Sequence, residues 1–576
     1  MTLPEEEQKF LEYLEKLIGV SIPEVPELQS YTFGYTVKDN HVEGLSLFSC
    51  GLTIIPEKIT TLSYLKKLLV RGNKLKVIPE ELCFISALNT LDLSENKLVK
   101  LPKAIYSLVS LKELHLESNR LTILPETISS LSSLTLLDIS DNSLNEIPET
   151  IGSLKNLESL DLSQNKIDEL PDSIEHLKSL KLLYLGKNNL TTLPESIGSL
   201  SSLKRLNLRN NKLSKLPNAI GNLSSLSSLF LKGNNLTYVP DSIGNLKNLK
   251  YLGLASNKLP LLPETIGSLK SLESLNISSN YLTELPDSMG HLKSLLRLEL
   301  SSNELTQLPD MDNLSSIKIL KFDRNNLKFL HNSISNLTTL ESLKVDRNEL
   351  KELPDSIGQL KSLKELDLYD NKLTKLPESI GNLSSLEVLD LSKNQLSLLP
   401  ESIGLLSSLR ELDISTNRLT SLVPTIGKLP LLKNLIIGFN RLETIPDTIG
   451  SLSTLETLDL GKNTIKEIPA SIGSLRSLKR LYLYYNDLKE IPASIGDLEK
   501  LKYLYLGNNK LTKIPETIGN LKSLKYLFLR TNYITEIPES IDSLTSLQHL
   551  NIECNNLTKF PPSLEKLEDR EVKIFK

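Results

Sequence analysis

The chain has no tryptophan, only three cysteines and only three methionines in 576 residues, and 5% of its residues are aromatic. Three cysteines, Cys50, Cys83 and Cys554, spread over most of the chain cannot frame disulfide-bonded end caps, which points to a reducing compartment. No single charge dominates either. Lys and Arg number 66 against 70 Asp and Glu, a formal net charge of −4, so the basic stripe that a nucleic acid or an anionic membrane requires is missing. No apolar run approaches the roughly 18 residues of a membrane span. The opening MTLPEEEQKFLEYLEKLIG is acidic, without a basic segment ahead of an apolar core, so no secretory leader is expected there. The expectation is a cytoplasmic protein. Sequons such as Asn189-Leu190-Thr191 then follow from the internal repetition described next.

What the chain has in abundance is leucine at a fixed period. The pattern L-x-x-L-x-L-x-x-N-x-L runs from near residue 42 to 557. Its Asn falls at 73, 96, 119, 142 and 165, then every 23 residues to Asn303, resuming at Asn325 and continuing to Asn555. With Cys50 in the same slot, 23 units result, of which residues 363–385, LKELDLYDNKLTKLPESIGNLSS, are representative. Alternation along a strand turns Leu366 and Leu368 inward and Asp367 outward, and strands of successive units pair in parallel about 4.8 Å apart. The Asn amide can both donate to and accept from backbone groups that the inward turn leaves unpaired. Pro then blocks further pairing, an acidic residue suits the start of a helical turn, and Gly is expected to allow a sharp exit.

This pattern resembles the leucine-rich-repeat family, over about nine-tenths of the chain. The resemblance implies an α/β solenoid: a horseshoe with one continuous parallel concave sheet and short helical turns or loops on the convex side. The 23-residue L-P-x-x-I-G-x-L class is similar to the intracellular Ras-group type, which includes Shoc-type scaffold proteins, plant relatives and the repeat arms of Roco GTPases. It implies a non-enzymatic cytoplasmic scaffold in signalling, with a small GTPase or its complex as protein partner. The chain departs from that group in having no [RK]-[VI]-x-F docking stretch and no G-V-Y-W signature.

A repeat cannot bury its own leucines at the two ends, so each end needs a cap. Residues 1–44 read as an N-terminal cap, 45–557 as repeats and 558–576 as a C-terminal cap. In the first, Thr2 and Glu5 form a candidate capping box. Phe10, Leu11, Leu14, Leu17 and Ile18 share a helical face that stops at Gly19. Tyr31 to Val37 alternate as a strand, and Asp39-Asn40 make the turn into the first repeat strand. In the last, Leu564, Leu567, Val572 and Ile574 cover the final unit.

Chemistry-bearing motifs are few. The six histidines sit at no metal-ligand spacing, and neither phosphate-binding loops nor nucleophile elbows occur. His115, between Glu113 and Glu117, reads as a surface histidine. No enzyme activity, metal or cofactor is expected. Binding residues are sought instead where the outward positions depart from the consensus, six, four, two and one before the Asn. The main departure is Arg480, Tyr482, Tyr484, Tyr485, Tyr503, Tyr505, Tyr526, Phe528, Arg530 and Tyr533. Seven of the chain's 17 tyrosines lie between residues 482 and 533, and parallel strands should stack them into one platform of the residue types that dominate interface hot spots. A secondary candidate is Lys321, Arg324, Lys344 and Arg347, next to a unit one residue short (LPDMDNL, 308–314) and to His331 in place of Pro. Two readings from other classes remain: a nucleic-acid or glycan binder stacking on the platform, and a structural protein that self-associates through its ends.

Overall fold

The computed structural model describes residues 3–311 and 313–576. The chain divides into two compact units, Met1–Leu282 and Thr283–Lys576. The first begins with a helix, Glu5–Ile18, whose N-cap is Pro4 without a side-chain cap; Thr2 lies outside the described residues. It ends as expected at Gly19, where φ is 76° and the N–H donates to the Glu15 carbonyl. Its buried face is narrower than the pattern implies, since Phe10, Leu11 and Leu14 are buried while Leu17 is 45% exposed. Buried Glu7 pins the helix to the sheet, accepting from the Val42 N–H at 2.8 Å with His41 Nδ1 2.6 Å away.

Strands Phe33–Lys38 and His41–Leu47 form an antiparallel hairpin, closed by Asp39 and Asn40 with φ of 50° and 65°. Positive φ at both positions is the turn that matches strand twist. Tyr31 precedes the strand and is not part of it. His41–Leu47 then pairs in parallel with Lys67–Leu69, and from there every repeat contributes one three-residue strand, the last of this unit being Ser274–Asn276. Equivalent residues lie opposite one another without slippage, as in the row Leu206, Leu229, Leu252 and Leu275. The second unit repeats this from Arg297–Glu299 to His549–Asn551 and ends with the helix Pro562–Asp569 and a strand, Lys573–Phe575, that adds to the ladder. Leu564, Leu567 and Val572 are buried there. Each unit is thus an open parallel β-solenoid, with five-residue 3-10 turns joining most strands.

The Asn ladder does what its chemistry predicts. Asn257 Oδ1 accepts from the Leu236 N–H of the preceding repeat at 3.0 Å, while Nδ2 donates to the carbonyls of Leu231 and Leu254. The residue just before each Asn is left-handed, with φ near 55° at Glu95, Thr416, Tyr485 and Thr531 alike. Only Gly72 and Gly233 meet this demand with glycine, so nothing in the composition announces it.

The glycine of I-G-x-L has a different purpose from the one expected. It does not lie at positive φ. Instead, a Cβ at Gly221 would overlap the Ser242 carbonyl oxygen on the next turn, and Gly381 stands in the same relation to Ser402. Glycine here permits close stacking of successive turns. Gly290 faces the short repeat, where no 3-10 turn occurs among the described residues and a Cβ would meet only the Asp310 carbonyl, at 3.2 Å. Gly221→Ala is therefore expected to cost about 1–3 kcal/mol, the usual penalty for overpacking, and Gly290→Ala less than about 1; urea unfolding of both variants checks the difference.

The irregular repeat is repaired locally. Met311 is buried in its turn. His331, replacing Pro, caps the following turn by accepting from the Ser333 N–H at 3.3 Å.

Candidate functional site

The outward residue four before each Asn is most often Asp, and its role is structural. Asp92, Asp138, Asp161, Asp390 and Asp459 each accept, through Oδ1, from the N–H two residues on, at 2.8–2.9 Å. Asn207 does the same for Arg209 at 3.1 Å. Tyr482, Tyr505 and Phe528 depart from this pattern in three consecutive repeats, as Tyr184, Phe230, Lys321, Lys344 and Ile436 do elsewhere, leaving the N–H of Tyr484, Gly507 and Arg530 without a side-chain acceptor of that kind. Their strands, Arg480–Tyr482, Tyr503–Tyr505 and Tyr526–Phe528, pair in register.

The register converts two sequence columns into two rows of rings. In one, Tyr482 and Tyr505 have centroids 5.0 Å apart and Tyr505 and Phe528 4.7 Å, the latter pair within 13° of parallel. In the other, Arg480 lies 5.5 Å over Tyr503, Tyr503 stacks on Tyr526 at 5.0 Å, and Tyr526 on His549 at 4.8 Å. His549 ends a column that already reads Arg480, Tyr503, Tyr526 and could have been found from it. Tyr484 meets Tyr482 edge-on at 6.5 Å and lies over Gly461, where a Cβ would overlap its ring. Tyr485, left-handed and 52% exposed, meets Tyr484 edge-on at 6.1 Å. Partial burial raises the hydroxyl pKa of Tyr482, Tyr484 and Tyr505 above the ordinary value. Two expected members stand apart. Tyr533 is 54% exposed with no ring contact among the described residues, and Arg530 turns toward Glu553, 3.7 Å away.

The secondary candidate is neutralised from within. Lys321 and Lys344 are register partners, yet Lys321 reaches Glu299 at 3.4 Å and Lys344 reaches Glu365 at 2.6 Å. Arg347 lies 5.4 Å over Tyr369, and Arg324 is exposed at a left-handed position. His115 lies 3.8 Å from Glu113, and no cluster of three metal-ligating side chains occurs among the described residues.

The profile described as Leucine-rich repeat region matches residues 126–209, 237–352, 296–393, 355–437, 423–501 and 489–572, and a second, Leucine rich repeat, matches 63–121 and 201–259. The chain belongs to the leucine-rich-repeat family. Among solved structures, a plant peptide hormone receptor in complex with RGF2 is 31% identical, with a TM-score of 0.72 over 92% of this chain and 89% of that one. A leucine-rich-repeat protein of Leptospira interrogans is 36% identical, with a TM-score of 0.57 over 67% of this chain and 93% of that one. YopM from Yersinia enterocolitica is 27% identical, with a TM-score of 0.58 over 88% and 91%. No curated protein matches the chain. These neighbours are a receptor and bacterial repeat proteins, so the likeness is to leucine-rich repeats at large and does not single out the Ras group.

One leucine-rich-repeat position carries a charge at a disadvantage. Burial first, then Asp367 and Asp323, push the Asp346 carboxyl up to about 6. The folded state therefore holds this proton more tightly than the unfolded chain, and ionisation opposes folding. The penalty is full above about pH 6 and disappears below about pH 4, so the protein gains stability as pH falls through that window. Asp346→Asn should raise the melting temperature at pH 7 and leave it unchanged below pH 4 in thermal scans.

Proposed function

We propose that this leucine-rich-repeat protein is a non-enzymatic scaffold that binds a protein partner on the two ring rows of strands Arg480–Tyr482 to His549–Asn551. The observation that carries this is that three consecutive repeats place stacked aromatic rings at the position where Asp or Asn of other repeats, Asp92, Asp390 and Asn207 among them, accepts from its own backbone. The rings that stand there are only partly buried. Tyr and Arg supply large apolar area with a polar tip at modest entropy cost, which is why they dominate hot spots. The family supports the class of function, and the similar plant receptor, solved in complex with RGF2, supports a peptide segment as the recognised element. The finer reading, from the Ras-group resemblance, is a cytoplasmic scaffold for a small GTPase or its complex.

The test is affinity capture from native cells followed by titration of the purified partner against wild type and a Tyr482→Ala, Tyr505→Ala, Phe528→Ala triple variant. Equal affinity for both would refute the site. A small GTPase among the partners supports the finer reading, and its absence removes it. Direct binding of a glycan to the wild type alone would replace the protein partner, and assembly through chain ends would survive the triple substitution.

A further inference from the structure

The ring rows are bordered by a column of cations one residue ahead of each strand. Backbone bonds continue the ladder through this column, with the Lys502 N–H donating to the Lys479 carbonyl and the Lys525 N–H to the Lys502 carbonyl, each at 2.9 Å. Elsewhere in the same unit all of its cations but Lys433 meet a carboxylate. Lys318 and Lys364 both reach Glu341, Arg410 reaches Glu387 and Lys479 reaches Glu456. Beside the rings the column's carboxylates end with Glu456. Lys479, Lys502 and Lys525 follow one another, and neither Lys502 nor Lys525 has an ion pair among the described residues. Arg480 adds a fourth cation, exposed and resting on Tyr503. Like charges stacked across adjacent strands oppose folding, so the column costs stability at the same place where the rings have displaced the Asp acceptors.

We infer that the partner's recognised element is a short acidic peptide segment, lying across strands Arg480–Tyr482, Tyr503–Tyr505 and Tyr526–Phe528 with its carboxylates on Arg480, Lys502 and Lys525 and its apolar side chains on the rings. This rests on the ring rows being the partner site. Charge complementarity chooses the occupant, and its extent sets the length. The cations are bounded by Glu456 and Asp459 on one side and by Glu553 on the other, so a polyanion such as single-stranded nucleic acid would run onto carboxylates, whereas two or three carboxylates fit between them.

The experiment uses the full chain and an array of short synthetic peptides that alternate glutamate with each apolar residue type, read by fluorescence anisotropy. Lysine-for-glutamate counterparts and oligothymidylate serve as comparison ligands. Saturable binding of acidic peptides that weakens with salt is expected, with Lys502→Glu and Lys525→Glu each raising Kd about tenfold or more. The unfolding midpoint of both variants should be unchanged or higher, because a like-charge contact is relieved. No binding by any acidic peptide, equal binding by the lysine counterparts, or an unaltered Kd in the variants overturns the inference. Preferential binding of oligothymidylate overturns it in favour of nucleic acid. A native partner that loses affinity to Tyr505→Ala but not to Lys502→Glu leaves the ring site standing and removes only its acidic ligand.

Discussion

Asn257→Ala should lower the free energy of unfolding by about 1–3 kcal/mol, the cost of stranding buried backbone groups, while Asn189→Ala should cost under about 0.5, as at surface sites. The two residues have the same side chain and differ in what it satisfies. Asn257 is 6% exposed and closes four bonds at once: it accepts from the Leu236 N–H and donates to the Leu231, Leu254 and Ala255 carbonyls. Each of those groups sits where the chain leaves the strand and has no access to water. Alanine removes the acceptor and the donor together. Asn189 makes one bond, to the Lys166 carbonyl at 3.2 Å, on the solvent side, where water can replace it. Urea denaturation of the two variants should therefore give midpoints well apart. Coincident midpoints would mean that the ladder's bonds are no stronger than their exchange with water.

Repetition decides what could be read from the sequence. Period, strand positions and the Asn slot were legible because each is the same residue type doing the same work in every repeat. The platform was legible because in-register parallel strands turn a sequence column into a row in space, as Tyr482, Tyr505 and Phe528 show. What stayed hidden depends on relations between repeats, or on backbone conformations indifferent to residue type. The need for Gly221 arises from Ser242 on the next turn. The left-handed residue before the Asn is Glu95 in one repeat and Tyr485 in another; at roughly 1–2 kcal/mol against an L-residue, the ladder around it enforces what the side chain does not prefer. Consensus Asp at the outward position could be counted but not explained until its bond to the N–H two residues on was visible. Tyr533 is near the platform in sequence, yet it follows the Asn, outside the column positions that stack, and makes no ring contact among the described residues.

Tyr482→Ala, Tyr505→Ala and Phe528→Ala should each weaken partner binding by about 1–4 kcal/mol, the range of hot-spot truncations. Solvent-facing rings would be expected to leave folding almost untouched, but the rings are half-buried against one another, so each truncation also forfeits a stacking contribution of about 0.5–1.5 kcal/mol. Tyr505→Asn separates the two effects. It removes the ring but places an amide oxygen where Asn207 holds the Arg209 N–H at 3.1 Å, so the Gly507 N–H gains an acceptor worth about 0.5–1.5 kcal/mol. Stability should then stay within about 1 kcal/mol of wild type while affinity falls as far as in Tyr505→Ala. Asp92, Asp138 and Asp161 supply the mirror image. Each holds a backbone N–H at 2.9 Å, so their alanine variants should unfold more easily and bind the partner as wild type does. Titration and unfolding curves on the same preparations decide the matter. If Tyr505→Asn binds with full affinity, the rings are a self-packed strand surface, and recognition must be sought at Lys321 and Lys344.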